Sequence, residues 1–202
     1  MQRSHISVIY QVGFPITPFQ EFSDTLRREK VDISLHEQPR PGPMAGLEWL
    51  LPTISVAFIA RSYLDGFLKE AGKDHYTLLK AALARMTQRT METPKIEPTL
   101  ISTKGKVKEG NPYSMGFSLL AEAPDGRTIK LLLQKNDGSV DYKMATDAFL
   151  DFMADFDNVG SLILPAPDVG LDGRPRTKTV TVAFNHETAA IEWINPVPQK
   201  DL

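Results

Sequence analysis

Apolar and polar residues alternate almost from the start of the chain. Ile6, Val8, Tyr10 and Val12 interleave with Ser7, Ile9 and Gln11, the period of two expected of a half-buried strand. The segment GFPITP breaks the alternation, and Thr17 can cap a helix with Pro18 at its first position. Phe19, Phe22 and Leu26 then recur at helical spacing, with Glu21, Asp24, Arg27 and Arg28 turned outward. In VDISLHEQ the apolar Val31, Ile33 and Leu35 alternate with Asp32, Ser34 and His36. Together these segments predict a β-α-β opening.

The loop PRPGPMAG leads into the longest apolar stretch, Gly46 to Met91. Pro52 suits the first turn of a helix but not its interior, so a first helix is expected from Pro52 to Glu70. Gly72 suits the left-handed residue beyond a helix end, and Asp74 suits the cap of the next helix. Leu79, Leu83 and Met86 give that second helix an apolar face, while Lys80, Arg85 and Arg89 lie around its other side. The stretch therefore predicts an αα-hairpin. On the first helix, Arg61, Asp65 and Lys69 form a charged stripe that projects back onto Phe58 and Ile54. Trp49, Ile54 and Phe58 thus become a candidate partner-binding surface, because an apolar face needs a cover.

Beyond ETPKIEP the pattern turns sheet-rich. Strands are expected at Leu100–Lys108, Met115–Ala123 and TIKLLLQ, with PDGR and NDGS as turns. A helix is expected from Tyr142 to Phe156, a short strand at SLILP, and a closing hairpin of TVTVAF and AAIEW around NHET. The fold class is α+β: a β-α-β unit, an αα-hairpin, then a mostly antiparallel sheet with one further helix. Residues 1–93 read as a helix-rich lobe and 94–202 as a sheet-rich lobe, or as a single domain if one sheet runs through both.

Composition narrows the function classes. The 202 residues carry 23 Lys plus Arg against 25 Asp plus Glu, a net charge of -2. That balance lacks the positive field of a duplex nucleic-acid binder. Cysteine is absent, which excludes disulfides, thiol nucleophiles and cysteine-ligated metal, and fits a reducing cytoplasm. No signal peptide is expected, and the run Leu47–Ala60 is shorter than the roughly 20 apolar residues of a membrane span.

Candidate chemistry is sparse. The four histidines, His5, His36, His75 and His186, form none of the short metal-ligand spacings. Asp74 and His75 sit at an expected helix start, whose positive end favours a neutral imidazole. His36 shares a strand face with Ser34 and Asp32, although neighbours on one strand do not build a relay. These make His36, Asp74 and His75 the candidate catalytic set of a small hydrolase or transferase. Asp147, Asp151 and Asp155 form an acidic helix stripe, read as a solvated face with no metal assigned. Lys104, Lys106 and Lys108 share one strand face and form a candidate anion patch, or a guard against edge pairing. No cofactor is expected, since no glycine-rich nucleotide loop occurs. The leading expectation is a non-enzymatic interaction or ligand-binding protein whose partner is itself or another protein. A peripheral membrane anchor through Trp49, Leu50 and Phe58 is the third reading.

Overall fold

In a computed structural model, residues 4–39, 53, 55–93, 112–167 and 178–194 are described. Strand β1 (Ile6–Gln11), helix α1 (Thr17–Arg28) and strand β2 (Ile33–Gln38) form the expected β-α-β unit. β1 and β2 pair in parallel, Ile6 opposite Ile33 and Val8 opposite Leu35. Ile6, Val8, Phe19, Phe22 and Leu26 are buried together. The Tyr10 and Phe19 ring centroids are 5.8 Å apart, and Phe19 meets Phe117 at 6.0 Å. The helix thus lies over the face of the sheet that Ile6, Val8 and Tyr10 define.

The long apolar stretch departs from expectation. Ser55–Ile59 is a strand, β3, paired antiparallel to β1 and parallel to the later strand β4 (Tyr113–Glu122). A central strand flanked by neighbours reads as a continuous apolar run, and a short run of that kind has no period to distinguish it from a buried helix. Its Val56, Phe58 and Ile59 are β-branched or aromatic, which suits a strand. Ala60 closes the strand, its amide bonded to the His5 carbonyl at 2.9 Å. One continuous helical segment follows: a π turn at Tyr63–Phe67, then α2 at Leu68–Glu92. The αα-hairpin is therefore replaced by a strand and a single long helix. Gly72 and Asp74 lie inside α2. A glycine there costs about 1 kcal/mol against alanine, an amount that packing along a 25-residue helix can override. Leu79, Leu83 and Met86 are buried as the spacing predicts, each burial contributing about 2 kcal/mol.

The second half holds β4, β5 (Thr128–Gln134), α3 (Tyr142–Ala154), α4 (Phe156–Ile163), β6 (Thr179–Asn185) and β7 (Ala190–Trp193). The PDGR turn joins β4 to β5, with Gly126 at φ 83°. The closing hairpin pairs Phe184 with Ile191. The expected strand at SLILP is instead the end of α4 and the bend after it. Ser161 to Ile163 continue the helix begun at Phe156, with Ser161 and Leu162 exposed, Ile163 half-buried and Leu164 buried just beyond the end. The expected strand Leu100–Lys108 lies outside the described residues.

The seven described strands form one mixed sheet in the order β2-β1-β3-β4-β5-β6-β7, so strands from both sides of residue 94 share it. Parallel pairs β1·β2, β3·β4 and β5·β6 are each bridged by helix. The α+β class stands. Helix α2 packs between α1 and α3, and residues of all three belong to one apolar cluster with the same face of the sheet.

Candidate functional site

The two faces of the sheet settle where the candidate residues lie. Registers place Ser34, Ser7, Phe58, Leu120, Lys130 and Thr181 in one row across the face away from the helices. His36, Ile9, Val56, Ser118, Leu132 and Ala183 form the next row. His36 is exposed on this outer face, whereas Asp74 and His75 belong to α2 on the other side. The proposed catalytic set is not brought together. Ser34 is engaged elsewhere, its Oγ 2.9 Å from Ser7 Oγ. Phe58 is half-buried on the outer face, between Ser7 and Leu120 rather than on a helix above Arg61. Trp49, Leu50, Ile54, Lys104, Lys106 and Lys108 lie outside the described residues.

Lys130 sits within that outer face, and burial lowers its pKa below the ordinary lysine value. Ser118, Leu132, Thr181 and Ala183 around it are buried. The outer face is thus closed over β4–β6 and open at His36.

The acidic stripe of α3 is spent on basic and amide groups. Lys80 on α2 donates to both Asp151 oxygens at 2.8 Å, and the Tyr76 hydroxyl donates to Asp151 Oδ1 at 2.8 Å. Burial, with the Asp151 hydrogen bond second, raises the Tyr76 pKa far above the ordinary phenol value. Lys143 bonds Asp147 at 2.6 Å, and Asn158 donates to Asp155. Among the described residues, no three His, Cys, Asp or Glu side chains converge as a metal site would require.

A second polar group gathers where β1 and β2 begin and β3 and β4 end. The Asp32 amide donates to His5 Nδ1 at 3.4 Å, and the His5 ring lies 5.7 Å from that of Tyr63. The Arg61 amide donates to Glu122 Oε2 at 3.3 Å, and the Arg61 guanidinium is paired with Asp65. Burial raises the Tyr63 pKa well above its usual value. These contacts lock the π turn against the end of the sheet and occupy its charged groups in doing so.

A concavity of about 600 Å³ lies between α1 and α2. Its floor is apolar: Phe22 and Met86 are buried, Leu78 and Ala82 half-buried, and Ala81 exposed at the opening. Small side chains at 81 and 82 let the two helices leave space instead of interdigitating. Glu21 on α1 and Arg89 on α2 form an ion pair across one end. The other charged lining groups are Asp24, Arg28, Asp74 and Arg85, all exposed.

The arginines separate cleanly. Among the described residues, Arg61, Arg89 and Arg127 are ion-paired, and Arg27 bonds the Ile33 carbonyl at 3.0 Å. Arg28 and Arg85 alone among the described arginines make no hydrogen bond or ion pair, and both line the cleft. Helical periodicity marks both as outward-facing. Nothing local to either sequence segment shows that they face one groove, because that depends on how α1 packs on α2.

Compared with protein-family models, with curated proteins and with solved structures, the chain matches none.

Proposed function

We propose that the chain is a binding module of the cytoplasm and that the cleft between α1 and α2 is its recognition surface. The observation that carries this reading is the pairing of an apolar floor with two exposed arginines, Arg28 and Arg85, whose side chains make no hydrogen bond or ion pair among the described residues. A guanidinium holds five donors in a rigid fork suited to a carboxylate or phosphate, and a concave apolar site with a few oriented polar groups is the usual form of a ligand pocket. The hydrolase or transferase reading loses its support, since its histidines lie on opposite faces of the sheet. The membrane reading finds no added support. Among the described residues, no helix is long and apolar enough to cross a bilayer.

The test is a thermal-shift screen of amphipathic small molecules and peptides against the wild type and Ala81→Trp. Ala81 is exposed at the cleft opening, so an indole there fills the groove without entering the core. Compounds that raise the wild-type melting temperature are expected to lose that effect on the variant. Compounds acting equally on both proteins would refute the cleft as the surface.

A further inference from the structure

The cleft reading can be taken one step further, to the class of its occupant. We infer that the α1–α2 cleft receives an amphipathic α-helix of a partner protein, one carrying acidic and basic residues on either side of its apolar stripe. The inference rests on the cleft being the recognition surface.

Three features favour a helix. The first is length. Asp74 and Arg89, both lining the cleft, are fifteen residues apart on α2, which at 1.5 Å per residue makes a wall of about 22 Å, facing a wall of about 15 Å from Pro18 to Arg28 on α1. The longer wall matches about four turns of a helix laid along it. The second is the floor. Leu78, Ala82 and Met86 follow one another at four-residue spacing along α2, opposite Phe22 on α1. Rows at that spacing form the ridges and grooves into which a neighbouring helix packs. A helix bound in such a groove presents anchors at three- and four-residue intervals.

The third feature is charge. Three acidic and three basic side chains line the cleft: Glu21, Asp24 and Asp74 against Arg28, Arg85 and Arg89. Glu21 and Arg89 neutralise each other. Two acids and two arginines remain, and their side chains make no hydrogen bond or ion pair among the described residues. A nucleic acid or an anionic lipid surface would meet Asp24 and Asp74 unfavourably. A helix with a carboxylate toward Arg85 or Arg28 and a cation toward Asp24 or Asp74 satisfies both signs.

The probe is a displayed library of 15-residue helical peptides, with leucine or phenylalanine fixed at the first, fifth, eighth and twelfth positions. Glutamate, lysine and alanine are randomised at the flanking positions. Selection is made against the full-length protein, and dodecanoate is measured in parallel as a small anionic amphiphile. The expected result is a set of peptides whose affinity falls at least tenfold against Ala81→Trp and against Arg85→Glu. Replacing one peptide glutamate by lysine should restore binding to Arg85→Glu, which loss of packing alone would not do. If dodecanoate binds in an Ala81-dependent way and no peptide does, the helix inference fails while the cleft reading stands. If light scattering shows a dimer that Ala81→Trp converts to monomer, a second copy fills the cleft and the inference is overturned. If neither probe responds to Ala81→Trp, both readings fall.

Discussion

The Tyr76 hydroxyl on α2 donates to Asp151 on α3 at 2.8 Å, while the Lys80 ammonium bonds the same carboxylate and lies 5.3 Å from the Tyr76 ring centroid. One carboxylate thus ties the middle of the long helix to its neighbour. Glu21 and Arg89 tie its C-terminal part to α1. The helix that forms one wall of the cleft is held from both sides, so the groove is preorganised.

Removing the phenol tests that tie. Tyr76→Phe keeps the ring over Lys80 and deletes the hydrogen bond, for a loss of about 1 kcal/mol in urea unfolding. Asp151→Ala removes both partners at once and should cost no less. An unchanged midpoint in both variants would mean that packing alone fixes α2 on α3.

The tyrosines also set an alkaline limit. Tyr63, Tyr76 and Tyr113 all have raised pKa values, each mainly through burial. An unfolded tyrosine ionises near pH 10, whereas these keep their protons when folded. Above about pH 10 the unfolded chain has therefore released protons that the folded chain retains, and stability falls as pH rises. Lys130, with its lowered pKa, acts in the opposite sense below the ordinary lysine value. Stability should hold or rise slightly toward pH 10 and then drop, with a shallower drop in Tyr76→Phe. Unfolding free energies between pH 8 and 12 check the sign.

Arg127 is 4% exposed, donates to Asp125 at 2.7 Å and to the Pro165 carbonyl at 2.8 Å. It fastens the β4–β5 turn to the segment after α4. Arg127→Ala leaves a carboxylate and a carbonyl without their donor and should cost about 2–3 kcal/mol. Arg127→Lys should recover only part of this, because one ammonium cannot reproduce a planar fork. Equal stability of the arginine and lysine proteins would contradict that geometry.

Gly72→Ala separates the observed helix from the hairpin that the sequence suggests. Inside a continuous helix, alanine gains about 1 kcal/mol over glycine. At a left-handed stop between two helices it would lose a comparable amount. A rise in the melting temperature is expected.

That glycine shows where sequence reasoning stops. The opening β-α-β unit, the PDGR turn, α3 and the final hairpin were legible because period and turn chemistry agree locally. Residues 55–59 were not, since Val56 to Ile59 is a continuous apolar run with no alternation to read, although Val56 and Phe58 are only half-buried in the fold. Gly72 carried a genuine stop signal that tertiary packing overrode. Phe58 lies half-buried on a strand and not on the helix that residues 52–70 suggest. Arg28 and Arg85 were visible as surface arginines. Their meeting across one cleft follows only from α1 packing on α2, which couples residues nearly sixty positions apart.

The most direct measurement of the cleft is an amide NMR titration of the protein with a library of amphipathic fragments. Shift perturbations are expected to cluster on residues 18–28 of α1 and 74–89 of α2, and to vanish in Ala81→Trp. Perturbations centred instead on His36, Ile9 and Phe58 would place recognition on the open face of the sheet and contradict the account.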